Sequence, residues 1–177
     1  MNQLLQVVVD VLLLLYYWGE GIVMFFVPKR LRFKSVADDI VLITGGGSGL
    51  GRLLAQRFAR LGAQVVVWDL NQSALDETCQ LIREELTTGA GAHDKPPKRV
   101  FSYVCDVSDR AMVYETADRV RRDVGKVSIL VNNAGIVSGK RFLETPDEKI
   151  VKTFEVNAIS HFWVNIVFLL NMFLICS

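Results

Sequence analysis

A glycine-rich turn between an apolar run and a helical pattern constrains the fold of this chain most strongly. The apolar residues 40–43 lead into the turn, and residues 52–60 form the helical pattern after it. The turn consists of Thr44, Gly45, Gly46, Gly47, Ser48, Gly49, Leu50 and Gly51. Glycines let the backbone approach a ligand closely, and the first amides of a helix have no partner within the helix. A strand that ends in such a turn predicts a site for the pyrophosphate of a dinucleotide.

The chain up to residue 163 continues to alternate apolar runs with helical patterns. Further strands are predicted at residues 64–69, 99–106 and 127–131, and further helices at residues 73–86, 109–124 and from Thr145 onward. Short connections between alternating strands and helices are typical of a parallel sheet with helices on both faces. The predicted fold is α/β, a Rossmann-type doubly wound parallel sheet truncated after its fourth strand and fifth helix. The prediction adds an amino-terminal apolar anchor helix.

The run Thr145-Pro146-Asp147-Glu148 has the signature of a helix start. Thr145 is predicted to cap this helix, with proline at the first helical position and Glu148 three residues beyond the cap. Apolar residues then recur at helical spacing, at Val151, Phe154, Ala158 and Phe162.

Asp69 ends the second predicted strand, 69 − 51 = 18 residues beyond Gly51. An acid about 20 residues after the glycine turn bonds the ribose hydroxyls in Rossmann-type sites. Its carboxylate would repel a 2′-phosphate, and residues 44–51 contain no Lys or Arg to offset that charge. The sequence therefore predicts NAD as cofactor, with NADP disfavoured. The alternative for Asp69 is a helix cap or a solvated loop acid.

Polar groups also follow the third and fourth predicted strands. Asp106, next to Val107, is placed to accept a hydrogen bond from the adenine amino group. A small turn after the fourth strand is placed to line the cofactor and brace neighbouring strands. It consists of Asn132, Asn133, Ala134 and Gly135.

Taken in order, these motifs and Asn157 resemble the short-chain dehydrogenase/reductase superfamily over residues 40 to 163. The resemblance implies that the cofactor is held by Thr44, Gly45, Ser48, Gly49, Leu50, Gly51, Asp69, Asp106, Val107, Asn133, Ala134 and Gly135. Residues 42–52, 67–69, 127–139 and 161–163 are similar to a membrane-anchored branch of that superfamily. This similarity implies a nicotinamide cofactor used on lipophilic alcohols and ketones such as retinol or steroids.

The resemblance assigns a catalytic role to Asn157 alone. Asn157 matches the first member of the family's Asn-Ser-Tyr-Lys set, where it helps to hold a proton-relay water. The other three members are missing, and Tyr103 and Tyr114 have Val107 and Asp118, not lysine, four residues later. Two functions stay open: an incomplete NAD-dependent dehydrogenase of retinol or hydroxysteroids, or a non-catalytic, membrane-anchored dinucleotide-binding remnant or truncated isoform. The second would act as a homo-oligomer or by pairing with a full-length form.

Residues 1–28 are predicted to form a membrane anchor. Residues 4–27 are mostly apolar and number 27 − 4 + 1 = 24, against the about 20 that a spanning helix requires. Asp10 and Glu20 interrupt this run and leave open either a full span or an interfacial anchor. Membrane lipid is therefore a predicted partner, and the resemblance implies the endoplasmic reticulum membrane or lipid droplets.

A basic linker, residues 29–39, follows the anchor. Its positive charges are Lys29, Arg30, Arg32 and Lys34. By the positive-inside rule, the partial dinucleotide-binding domain of residues 40–163 faces the cytosol. The last segment, residues 164–177, is an apolar divergent tail, predicted to be an altered helix end; the alternative is a second membrane-contacting segment.

Composition argues against two other classes of partner. The net charge of +1 gives no basic field for nucleic acid. Cys79, Cys105 and Cys176 are widely spaced, with only His93 and His161 as possible companions. The prediction is reduced thiols and no metal site.

Overall fold

The computed structural model describes residues 3–26, 34–88, 100–139 and 141–173. The chain forms two compact units, Met1–Ser35 and Val36–Ser177. In the first unit, helix α1 spans Gln3–Phe26 and exposes its apolar side chains. Its segment Leu5–Val23 is long and apolar enough to cross a membrane, the one such helix among the described residues. The predicted basic linker is described only from Lys34 onward, so Lys29, Arg30 and Arg32 lie outside the described residues.

The second unit is built on four parallel strands in the order β3-β2-β1-β4. The strands are β1 (Ile40–Thr44), β2 (Gln64–Asp69), β3 (Val100–Val104) and β4 (Ile129–Val131). The helices are α2 (Gly49–Arg60), α3 (Gln72–Thr88), α4 (Arg110–Asp123), α5 (Asp147–Phe154) and α6 (Ser160–Phe173). A short 3₁₀ helix (Phe142–Glu144) precedes α5, and a π-helical turn (Glu155–Ile159) joins α5 to α6. The predicted Rossmann-type parallel sheet is confirmed.

Helices bury both faces of this sheet, as expected for parallel strands that read as continuous apolar runs. Leu42 faces a cluster that includes residues of α4 and α6, whereas Val41 and Ile43 face a cluster that includes residues of α2 and α3. Residues 164–173 continue α6, and Val164 and Val167 are buried in the first of these clusters. This end of the helix therefore contributes to the core.

Strand β4 is one of the two edge strands of the described sheet. It pairs with β1 through Ile129, Leu130 and Val131, all of which are partly exposed. An apolar edge strand offers unpaired backbone groups to a further strand. The order β3-β2-β1-β4 brings the turns after β1 and β4 side by side, where the site lies.

The start of α5 differs from the prediction. Pro146 is the cap residue, with extended backbone at φ −61° and ψ 145°, and helix α5 begins at Asp147. Thr145 does not cap the helix, because its hydroxyl lies 3.0 Å from the carbonyl oxygen of Arg141 and is directed to the preceding 3₁₀ turn. The predicted apolar stripe is exposed: Phe154 and Phe162 are 62% and 65% exposed.

Candidate cofactor-binding site

Gly45 and Gly51 lie where other backbone atoms leave no room for a Cβ atom. Gly45 has φ +65°, and a Cβ atom there would meet Ala134 Cα at 2.9 Å. A Cβ atom on Gly51 would lie 2.0 Å from the Gly45 carbonyl oxygen and 2.6 Å from Asn133 Nδ2. Gly49 has φ +52°, in the left-handed region, and faces open space. The turn is thus compact on its inner side and open on its outer side.

The open side of the turn presents the amino terminus of α2. Ser48 is the extended cap residue and makes no side-chain capping hydrogen bond. Ser48, Gly49 and Leu50 are exposed, and the Arg52 amide makes a hydrogen bond to the Ser48 carbonyl oxygen at 3.2 Å. The unpaired amides before Arg52 and the positive end of the helix dipole suit a phosphate group.

Side chains from α2 and α3 hold the carbonyl groups of the turn on its inner side. The Thr78 hydroxyl lies 3.2 Å from the Gly46 carbonyl oxygen and 3.1 Å from the Gly47 carbonyl oxygen. Arg52 Nη2 donates to the Gly47 carbonyl oxygen at 2.6 Å and forms an ion pair with Glu77 at 2.6 Å. With its carbonyls engaged inward, the turn can present amides outward. The sequence did not predict these hydrogen bonds from Thr78 and Arg52, because α3 carries no motif that indicates contact with the turn.

Asp69 lies beside the same turn. Its Oδ2 accepts from the Gly47 amide at 3.0 Å, and its Oδ1 accepts from the Asn71 amide at 3.0 Å. A Cβ atom on Gly47 would meet Asp69 Oδ2 at 2.9 Å, so the carboxylate and the turn are in direct contact. Neither bond is a helix cap, because Gly47 and Asn71 precede α2 and α3, and Asn71 Oδ1 is the acceptor for the Ala74 amide in the first turn of α3, at 3.1 Å. Each carboxylate oxygen of Asp69 keeps a further lone pair, which leaves the carboxylate able to accept from a ribose hydroxyl.

The turn after β4 is joined to the end of β1. The Asn133 and Ala134 amides donate to Thr44 Oγ1 at 3.0 and 3.1 Å. Asn133 Nδ2 donates to the Thr44 and Gly45 carbonyl oxygens at 3.0 and 3.1 Å. The bracing of neighbouring strands that the sequence predicts is thus seen in these contacts. Asn132 instead donates from Nδ2 to Asn165 Oδ1 at 3.1 Å and holds α6.

Asn157 lies in the π-helical turn and faces the segment after β4. Its Oδ1 accepts from the Ile136 amide and its Nδ2 donates to the Ile136 carbonyl oxygen, both at 2.8 Å. A Cβ atom on Gly135 would lie 3.5 Å from Asn157 Oδ1. π-Helical turns occur often at functional sites. This two-point bond fixes the amide beside the predicted cofactor-lining turn.

Asp106 lies after β3, in contact with its own loop and with α5. Its Oδ1 accepts from the Ser108 amide at 2.9 Å and from Ser108 Oγ at 2.6 Å. Burial alone would raise the pKa of this carboxyl, but the Ser108 bonds and the Lys152 charge hold it below its ordinary value. Val107, its predicted companion, is buried in the core.

Among the described residues, Tyr103 is not suited to donate a proton, and the cysteines are not suited to thiol or metal chemistry. The hydroxyl of Tyr103 donates to Asp123, and burial with this carboxylate raises the pKa of Tyr103 to about 12, which is opposite to what a proton-donating tyrosine requires. Cys79 and Cys105 are buried free thiols whose pKa values are raised, and Cys176 lies outside the described residues. Over the described part of the chain, no group of three or more His, Cys, Asp or Glu side chains is placed to hold a metal.

Residues 39–173 match the family model described as short chain dehydrogenase. The chain belongs to this family. It is 46% identical over 169 residues to the short-chain dehydrogenase/reductase family 16C member 6 of Bos taurus, covering 96% of this chain and 50% of that protein. It is 51% identical over 150 residues to human epidermal retinol dehydrogenase 2, covering 85% of this chain and 45% of that protein. The chain thus spans about half the length of the curated relatives it matches.

The second unit also resembles solved structures of short-chain dehydrogenases in its fold. A short-chain dehydrogenase/reductase from Burkholderia phymatum, in complex with NAD, superposes with a TM-score of 0.65 and 32% sequence identity. The match covers 77% of this chain and 44% of the other. The resemblance stated from the motifs is confirmed at the level of the family and the fold.

Proposed function

We propose that this chain supplies the cofactor half of an NAD-dependent oxidoreductase that acts on lipophilic alcohols. The proposed reactions are retinol to retinal or hydroxysteroid to ketosteroid. The observation that carries the proposal is the glycine turn, where Thr78 and Arg52 hold the carbonyls inward and the start of α2 stays open. Relatives named as retinol dehydrogenases support the substrate class.

The residues present fit a dinucleotide. A Cβ atom on Gly51 or Gly45 would fill the turn against backbone atoms, so the sequence keeps the close approach that a pyrophosphate needs. Gly49, Leu50 and Gly51 would hold the pyrophosphate and Asp69 the adenosine ribose, in accord with NAD over NADP. Bound NAD would accept the hydride of the alcohol. The chain's own contribution is to bind and orient it.

Exposed apolar side chains between β4 and α5 suit a lipophilic substrate. Val137 and Leu143 are 88% and 93% exposed, and both lie in the segment between β4 and α5. Helix α1, exposed and apolar over Leu5–Val23, supports membrane attachment, with the endoplasmic reticulum or lipid droplets as proposed location and the second unit in the cytosol. Such a location would place the site near membrane-dissolved substrates.

The alternative function is a non-catalytic dinucleotide-binding chain that pairs with a second copy or a full-length form. The exposed side chains of Phe154 and Phe162, with the edge strand β4, favour it because they leave apolar surface and backbone for a partner. Tyr103 does not supply the missing proton donor, since its pKa is raised.

Calorimetric titration of the full chain in detergent tests the cofactor site. We expect wild type to bind NAD, and NADP roughly tenfold more weakly because the Asp69 carboxylate repels the 2′-phosphate. Gly51→Ala should abolish binding, whereas Gly19→Ala, whose added Cβ meets nothing within 4 Å, should bind as wild type. Circular dichroism checks that each variant is folded.

The same preparations separate the two functions. Formation of retinal from all-trans-retinol and NAD above a protein-free blank would support the enzyme and exclude the non-catalytic alternative. NAD binding without turnover would favour the alternative, and folded wild type without any NAD binding would refute both.

A further inference from the structure

Lys152 joins α5 to the loop that follows β3. Its Nζ donates to Ser108 Oγ and lies 3.5 Å from Asp106 Oδ2. Ser108 is 44 residues away in sequence, so this contact depends on the tertiary fold. Glu155, on the next turn of the same helix region, lies 3.7 Å from the ammonium and shares its charge. The contact places a cation beside the acid that is predicted to meet adenine.

The two oxygens of Asp106 have different environments. Oδ1 accepts two hydrogen bonds, from the amide and the hydroxyl of Ser108. Oδ2 faces the Lys152 ammonium at ion-pair distance. The Asp106 side chain is 26% exposed, which leaves part of the carboxylate open to a ligand. An ionised carboxylate only accepts hydrogen bonds, and the adenine amino group is a donor.

We propose that Lys152 is a positioning residue for adenine recognition: through Ser108 it orients the Asp106 carboxylate, so that Oδ2 is available to the adenine amino group. The proposal rests on the proposed function, since it requires that this chain bind NAD. Lys152 itself does not touch the base. Its effect is therefore specific to ligands whose base carries a donor at this position.

A pair of dinucleotides distinguishes this role from general electrostatic attraction. Nicotinamide hypoxanthine dinucleotide has a carbonyl oxygen in place of the adenine amino group and a hydrogen on the neighbouring ring nitrogen N1, and it otherwise has the structure of NAD. A lysine that attracts the phosphates acts on both ligands equally. A lysine that acts through Asp106 on the amino group affects NAD alone.

The test is calorimetric titration of the full chain in detergent with each dinucleotide. We expect Lys152→Met to weaken NAD binding roughly two- to fivefold, the range of a partly exposed ion pair. Its affinity for the hypoxanthine dinucleotide should not fall. Lys152→Arg, which keeps the charge, should restore most of the NAD affinity. Lys149→Met removes the same charge from an exposed position on α5 and should leave both affinities unchanged.

Equal weakening of both dinucleotides by Lys152→Met would overturn the proposal, and so would unchanged NAD affinity. In either case wild type still binds NAD, so the proposed function stands. Wild type that binds neither dinucleotide would refute the proposed function and, with it, the role of Lys152. Circular dichroism spectra matching wild type show that a lost affinity does not come from unfolding.

Discussion

Thr44 is assigned to cofactor binding by its place in the glycine motif. In the structure its side chain also connects β1 to the turn after β4. It is 2% exposed, and its hydroxyl oxygen accepts from the Asn133 and Ala134 amides. One oxygen atom therefore holds the turn after β4 against the end of β1. This acceptor and the Asn133 side chain, which donates to the Thr44 and Gly45 carbonyl oxygens, together set the spacing of the two turns that form the candidate site.

Replacement of Thr44 tests this acceptor. Thr44→Val keeps the shape but leaves two backbone amides without a partner, so we expect the free energy of unfolding to fall by about 2 kcal/mol. Thr44→Ser keeps the oxygen and should lose about 1 kcal/mol or less, the cost of one methyl group. Urea unfolding followed by tryptophan fluorescence measures both. A Thr44→Val chain as stable as Thr44→Ser would show that water satisfies the two amides.

Single residues of the site differ in how far the sequence predicts them. The need for glycine at Gly51 follows from a local motif, because a turn that closes on itself excludes a Cβ atom. The contacts of Arg52 and Lys152 do not follow from local sequence. Their partners, Glu77 and Asp106, come from other elements, and only the tertiary fold decides which charges meet.

Among the elements, α4 has the best-defined start. Asp109 is its cap, and its Oδ1 accepts from the Ala111 and Met112 amides at 2.9 and 3.1 Å. The predicted helix at residues 109–124 agrees with the observed Arg110–Asp123 and its caps. The helix begins directly after the loop that carries Asp106, so its cap also fixes the end of that loop.

Loss of this cap has a measurable cost. We expect Asp109→Ala to lower the free energy of unfolding by about 1 kcal/mol, because two first-turn amides lose their acceptor. Asp109→Asn retains a side-chain oxygen and should unfold close to wild type. Denaturant titration gives both values. If the two variants are equally destabilised, the negative charge near the helix dipole, and not the cap, is what stabilises α4.

Strands and helices were predictable because alternating apolar runs and helical patterns are local signals. The cap of α5 was predicted at Thr145, one residue before the observed cap, Pro146. Both residues suit a helix start, so the local sequence does not decide between them. The π-helical turn at Glu155–Ile159 carries no sequence signature that separates it from an ordinary helix. It is nevertheless the element that holds Asn157.

At the scale of the whole molecule, the chain combines an apolar helix with a folded Rossmann-type unit. The family and the parallel sheet were predictable, because the glycine turn, Asp69, Asp106 and residues 132–135 each follow a predicted strand. The exposure of Phe154 and Phe162 was not, since helical spacing defines an apolar face without saying what covers it. Both proposed functions include attachment to lipid. Only the non-catalytic alternative assigns the exposed surface of Phe154 and Phe162 to a partner chain.

Membrane attachment is tested by charges placed at the middle of α1. A lysine at the centre of a spanning helix costs about 3 kcal/mol, so we expect Leu13→Lys combined with Leu14→Lys to move the full chain out of the floating fraction of phosphatidylcholine vesicles. Leu61→Lys adds a charge at an exposed leucine in the second unit and should float as wild type. Flotation of the double variant at the wild-type level would show that residues outside α1 make the membrane contact.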